Sequence, residues 1–244
     1  MERAYPSFRI GAYDEALPFY VDFLGFEIDF EWRERDDSPV YMGISKGGLL
    51  LHLHGFKAGV FGCAALLDVE SIQGLYEELK AKNPGNVDAL VHQPWGKAEL
   101  HLKNSWDNRL TFTSPTKATG EERAQPVLRI SEYAEALEFY VDYLGFEVDF
   151  EWRNEKEGPV FMGISRGGLR LCMAQFRDAP FGSGILLDVD SVYDLRQELE
   201  KKNGTIEELI NQPWAKTELH IEDPFGNKLI FTSHSKSRFA LEDL

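Results

Sequence analysis

Cysteine is scarce in this chain of 244 residues, which holds only Cys63 and Cys172. Two thiols cannot build the framework of several disulfides that holds small secreted domains together, and such usage suits a reducing, cytoplasmic setting. Positive charge is also short: 26 Lys and Arg stand against 41 Asp and Glu, a net charge of -15. Phosphate backbones are held by clustered Lys and Arg that displace counterions, so nucleic acid is not an expected partner. An acidic surface keeps a protein soluble, and it also steers cationic small molecules inward. No apolar run approaches the ~20 residues of a membrane span. The opening Met1-Glu2-Arg3-Ala4 leads straight into folded-looking sequence without the pattern of a signal peptide. With 43% hydrophobic and 13% aromatic residues, the composition is that of a soluble globular protein long enough for two compact domains.

What the chain has in abundance is itself. Tyr13, Glu15, Ala16, Leu17, Phe19, Tyr20, Val21 and Asp22, followed by Leu24-Gly25-Phe26-Glu27 and Asp29-Phe30-Glu31-Trp32-Arg33, return as Tyr133, Glu135, Ala136, Leu137, Phe139, Tyr140, Val141 and Asp142, then Leu144-Gly145-Phe146-Glu147 and Asp149-Phe150-Glu151-Trp152-Arg153. The period of about 120 residues far exceeds that of solenoid repeats, so each copy is expected to carry its own core. Cys63 aligns with Ser183 and Cys172 with His52, which removes any shared disulfide.

Each copy divides again. Ser7 to Ile10 reads as a strand, and Tyr13 to Phe23 spaces Ala16, Leu17, Tyr20 and Leu24 as on a helix that Gly25 ends. Phe26, Ile28, Phe30 and Trp32 alternate with Glu27, Asp29, Glu31 and Arg33, the period of a strand with two unlike faces. Pro39 to Ser45 and Leu49 to His54 form a hairpin about Lys46-Gly47-Gly48. The order then restarts, with a strand over Cys63 to Asp68, a helix over Ser71 to Lys82, and strands near Ala89 to His92, Ala98 to Leu102 and Arg109 to Thr113. Ser71 and Ser191 are the expected helix caps. The expectation is an α+β protein of four strand-helix-strand-strand-strand (βαβββ) modules. Its domains are residues 1–116 and 125–235, with a linker at 117–124 and a tail at 236–244.

Gln93-Pro94-Trp95-Gly96-Lys97-Ala98-Glu99-Leu100-His101 is matched by Gln212-Pro213-Trp214-Ala215-Lys216-Thr217-Glu218-Leu219-His220. The second copy runs on into Glu222-Asp223-Pro224-Phe225-Gly226-Asn227. With Phe-Tyr-x-x-x-Leu-Gly-Phe near the start of each copy, this resembles the glyoxalase and bleomycin-resistance (vicinal oxygen chelate) superfamily, and within it the bleomycin-binding proteins. The first copy departs from the pattern, carrying Asn104-Ser105-Trp106-Asp107-Asn108, where loss of Pro and Gly points to a different turn. The resemblance implies two tandem domains of paired modules, whose mixed sheets curl into cups, joined as an intramolecular pseudo-dimer in a monomeric chain.

Enzymes of that superfamily hold a divalent metal through four His, Glu or Gln side chains. By alignment those places fall at Tyr5 and Gln125, near His52 and Cys172, at Cys63 and Ser183, and at Thr111 and Ile230. Neither copy offers the set, so no metal, no cofactor and no catalytic residue is assigned. Glu99 and His101 stand two apart on one strand face, as do Glu218 and His220, either as partly solvated pairs or as ligand contacts. The resemblance makes Trp95 and Trp214 stacking residues and places Phe30 and Phe150 beside them, although Phe30 could equally pack in the core with Phe26 and Ile28. The expected ligand-binding residues are thus Trp95, Trp214, Phe30, Phe150, Glu99, His101, Glu218 and His220. The expected function is non-enzymatic sequestration of a planar, cationic antibiotic of bleomycin type in grooves between the halves. A metal-dependent enzyme of glyoxalase or dioxygenase type with a rearranged site is the alternative.

Overall fold

A computed structural model describes residues 3–57, 59–83, 85, 87–93, 97–114, 123–176, 180–202, 206–212 and 215–235. The first module comprises β1 (Arg3–Arg9), α1 (Tyr13–Leu17) continued by a π-helical stretch over Pro18–Phe23, β2 (Glu27–Trp32), β3 (Tyr41–Lys46) and β4 (Leu49–His54). The second comprises β5 (Ala64–Asp68), α2 (Ile72–Lys82), β6 (Val91–His92), β7 (Ala98–Lys103) and β8 (Arg109–Thr113). The third repeats the first: β9 (Arg123–Arg129), α3 (Tyr133–Ala136) with a π-helical stretch over Leu137–Tyr143, β10 (Glu147–Arg153), β11 (Val160–Arg166) and β12 (Leu169–Ala174). The fourth repeats the second: β13 (Gly184–Asp188), α4 (Val192–Lys201), β14 (Ile210–Asn211), β15 (Lys216–Glu222) and β16 (Lys228–His234). Four modules of one plan are present. β9 starts at Arg123, inside the stretch expected to link the domains.

The modules pair across the copies. One eight-stranded sheet runs β14-β15-β16-β13-β1-β4-β3-β2, the other β10-β11-β12-β9-β5-β8-β7-β6. Antiparallel pairing of β1 with β13 sets Tyr5 opposite Leu186, and that of β5 with β9 sets Leu66 opposite Gln125. Each sheet is therefore made half from one copy and half from the other. The buried cores follow the copies instead. One cluster runs from Phe8 through Tyr20, Leu67, Leu79 and Phe112 to Ala124, and the other joins Leu128, Tyr140, Leu187, Leu199 and Phe231 with Ala4. A core made by the two modules of one copy thus binds the back of one sheet to the back of the other.

The sheets are curled. Tyr41 on β3 and Glu218 on β15 lie five strand positions apart, about 24 Å in a flat sheet, yet the Glu218 charge adds to the burial that raises the Tyr41 phenol. Only a curl brings a charge that far along the sheet into range.

Local capping follows the expected chemistry. The Ser71 hydroxyl accepts from the Gly74 N–H and the Ser191 hydroxyl from the Asp194 N–H, caps that stabilise a helix by about 1 kcal/mol each. The helix expected over Tyr13 to Phe23 is wider than regular in its second part, where the Leu24 N–H donates to the Phe19 carbonyl. Pro18 does not cause this, because the other copy has Glu138 there and widens alike.

The turn after β7 corrects an expectation. Asn104 Oδ1 accepts from the N–H groups of Trp106 and Asn108, as Asp223 Oδ1 accepts from those of Phe225 and Asn227. The geometry is the same in both copies because Asp107 adopts the left-handed conformation (φ 61°) that Gly226 (φ 78°) supplies in the other. Asp tolerates that region at a cost that Gly does not bear. Asp107→Gly is accordingly expected to raise the melting temperature by ~1–3 °C, as read by circular dichroism; a lower value would show that the Lys103–Asp107 ion pair at 2.7 Å outweighs the backbone strain.

Candidate functional site

Alternation along the strands decides what lines each cup. On β1 and β4 the side chains of Phe8, Leu49, Leu51 and Leu53 enter the core, so Tyr5, Ser7, Leu50, His52 and His54 face the hollow. On β2 the register shifts between Ile28 and Phe30. Ile28 stays opposite Ile44, but Phe30 falls opposite Gly43, and the bulge turns it onto the cup face. Phe30 therefore does not share the core face of Phe26, which is buried. The same shift between Val148 and Phe150 sets Phe150 opposite Gly163. Both rings lie flat on a bare backbone: a Cβ at Gly43 would come within 2.3 Å of the Phe30 ring, and one at Gly163 within 2.2 Å of Phe150. They remain 43% and 45% exposed, open to a ligand.

The bulge also divides the acidic stripe. Asp29 turns to the cup, where it accepts from the Ser45 hydroxyl at 2.7 Å, and Asp149 does the same with Ser165. Glu31 and Glu151 point the other way and accept from the hydroxyls of Tyr13 and Tyr133.

The Glu and His pairs sit on the opposite wall. Glu218 and Glu99 are nearly buried, at 8% and 9% exposure. The Gln212 amide donates to Glu218 Oε2 at 2.8 Å and the Gln93 amide to Glu99 Oε2 at 2.6 Å. His220 Nε2 lies 2.8 Å from Glu218 Oε2, and His101 Nε2 3.3 Å from Glu99 Oε2. Gln93 and Gln212 therefore each form one unit with a Glu-x-His pair, in which the glutamine fixes the carboxylate that the histidine meets. Trp95 and Trp214 lie outside the described residues.

Cross-copy pairing regroups the expected residues. Phe30 shares its cup with Glu218 and His220, and Phe150 shares the other with Glu99 and His101. The first cup also has a floor that sequence reasoning did not assemble. Tyr5 stacks on His52 with centroids 4.7 Å apart and rings 15° from parallel, while Phe30 meets His52 edge-on at 5.7 Å. Tyr41 hydrogen-bonds His52 Nδ1 and packs 5.8 Å from Phe30. Tyr5 and His52 enter the sequence expectations only as members of the metal set, because Tyr5 precedes the strand expected from Ser7 and nothing local announces the pairing of β1 with β4. In the second cup the same places hold Gln125, Cys172 and Phe161. Burial pushes the Cys172 thiol up to about 12, which leaves it a poor nucleophile at neutral pH.

A model of the glyoxalase superfamily protein family matches residues 1–119 and again 113–238. This chain belongs to the glyoxalase superfamily. Glyoxalase I from Zea mays superposes with a TM-score of 0.74 at 15% identity, covering 96% of this chain and 92% of that one. A putative dioxygenase from Bacillus subtilis gives 0.67 at 12% identity over 96% and 85%. At such identities the likeness is one of fold. TnmS3, an antibiotic binding protein from Streptomyces sp. CB03234, covers 45% of this chain and 92% of its own at 23% identity and a TM-score of 0.37. No curated protein matches the chain in sequence.

The superfamily's metal chemistry does not fit these cups. By register, the row across the first runs His220, Ile230, Leu186 and Tyr5, and across the second His101, Thr111, Leu66 and Gln125. Leucine and isoleucine supply no donor atom. Cys63 and Ser183, aligned with a ligand position, are buried beside one another just ahead of β5 and β13. Among the described residues no three His, Cys, Asp or Glu side chains converge.

Burial holds His52 and His54 down at about 4, with the His54 charge adding to the effect on His52 and the Arg9 charge to that on His54. Both rings are neutral in the folded chain at pH 7. A base whose pKa is lowered by folding gives stability that is full above its unfolded pKa near 6.5 and is lost as pH falls towards the folded value. Each ring is expected to cost on the order of 2 kcal/mol between pH 7 and 4.5. Urea midpoints at the two pH values should thus differ less in His52→Cys/His54→Ala, which carries the residues of the other copy; an equal difference would contradict neutral burial.

Proposed function

We propose that this chain is a non-enzymatic binding protein that sequesters a planar, cationic small molecule of the bleomycin type in a cup formed between its two halves. One observation carries the reading. A cluster of Tyr5, Phe30, Tyr41 and His52 offers flat rings on bare backbone, with the Asp29 and Glu218 carboxylates on the same concave face. Offset stacking adds ~0.5–1.5 kcal/mol per ring pair, and covering ~300 Å² of apolar surface gives on the order of 7 kcal/mol before ordering costs. Micromolar affinity needs about 8 kcal/mol net, so area and stacking must act together. The exposed Asp29 carboxylate supplies selectivity for positive charge more than strength, since exposed ion pairs contribute only ~0–1 kcal/mol.

A second reading, an enzyme with a rearranged metal site, is favoured by the approach of His220 to Glu218. No third His, Cys, Asp or Glu joins them among the described residues, and near-stoichiometric metal in protein purified without chelator would support it.

Titrating bleomycin and other planar, DNA-directed cations while following tryptophan fluorescence tests the proposal. Micromolar binding by at least one compound is expected, and Gly43→Ala, whose methyl would displace the Phe30 ring, should weaken it about tenfold with the fold intact. No binding at high micromolar concentration across the panel would overturn the reading.

A further inference from the structure

The two cups share a backbone and differ in what faces the hollow. In the first, Leu50 neighbours Ser45 in register, and the Asp29 carboxylate takes the Ser45 hydroxyl with no cation against it among the described residues. In the second, the place of Leu50 is taken by Arg170, whose guanidinium lies 3.4 Å from Asp149. Through Asp149 that cation lies on the same cup face as Phe150, the next residue along β10. At the other rim, Glu222 opposite Lys228 is replaced by Lys103 opposite Arg109. Arg for Leu adds one positive charge to the second cup's face, and Lys for Glu adds two, one of them offset by Asp107, which lies 2.7 Å from Lys103 where the other copy has Gly226.

The floors diverge in the same sense. Where Tyr5 stacks on His52 in the first cup, Gln125 in the second donates to Asp68 Oδ2 at 2.7 Å and meets Cys172 instead. A flat cation in the second cup would lose a stacked ring pair and face the Arg170 guanidinium. A flat anion would keep Phe150 and gain Arg170, because an ion pair with both members over a third exposed (44% and 34% in their side chains) is weak enough to exchange partners.

We infer that the cups have diverged into two sites of opposite charge preference: the cup containing Phe30 and His52 takes one planar aromatic cation, and the cup containing Phe150 and Arg170 takes one planar aromatic anion. This rests on the binding reading above and extends it to a second class of ligand.

Calorimetric titration of the full chain with proflavine, a planar cation, and with anthraquinone-2-sulfonate, a planar anion, tests it. Each dye is expected to bind once per chain, and saturation with one should leave the affinity for the other unchanged. Leu50→Arg should weaken proflavine about tenfold and leave the sulfonate alone; Arg170→Leu should do the reverse, with Arg170→Gln as a second variant that keeps the side chain polar. Both positions are partly or fully solvent-facing, and circular dichroism checks the fold. Two equal sites for either dye, or competition between the dyes, would overturn the divergence while leaving the binding reading in place. Binding of neither dye would overturn the inference, and if the wider panel also failed, the reading beneath it.

Discussion

Antiparallel pairing of β1 with β13 and of β5 with β9 is the constraint on which the rest of the molecule depends. Either module alone would present a sheet with an open edge and half a hollow, and unpaired edges are a standing liability. Joining the first module to the fourth and the second to the third closes both central seams. It also explains why the cores follow the copies while the cups do not. Each core binds the backs of two different sheets, so neither cup can loosen without disturbing both halves. Fusion of the copies in one chain keeps the modules at high effective concentration.

Two local devices then convert the sheet into a site. The bulge after Ile28, repeated after Val148, moves one aromatic ring per cup from the core face to the hollow, where Gly43 and Gly163 leave room for it. The glutamine of the Gln-Pro-Trp segment pins a nearly buried carboxylate that the histidine two residues on can meet. Both devices occur twice. The floor between them does not, and its replacement of Tyr5 and His52 by Gln125 and Cys172 is where the copies part in chemistry.

Much of this was legible in the residues. The repeat, the common face of Glu99 and His101 on β7 and the serine caps of α2 and α4 follow from local rules that the tertiary structure respects. The partner of each module was not legible, because β1 presents the same alternation whether it pairs with β5 or with β13. The side of Phe30 stayed open between core and cup for a related reason: a single extra residue in a strand reverses every face after it, and nothing in Glu27-Ile28-Asp29-Phe30 announces a bulge. The turn at Asn104 was expected to differ because it lacks Gly, yet an Asn side chain taking the same two N–H groups proved sufficient to keep its shape.

The central claim is that each cup is built from both copies. Interstrand nuclear Overhauser contacts between the backbone protons of Tyr5 and Leu186, and of Gln125 and Leu66, test it most directly in solution. The account requires both contacts. Contacts from Tyr5 to Leu66 and from Gln125 to Leu186 would instead place each cup within one copy and contradict it.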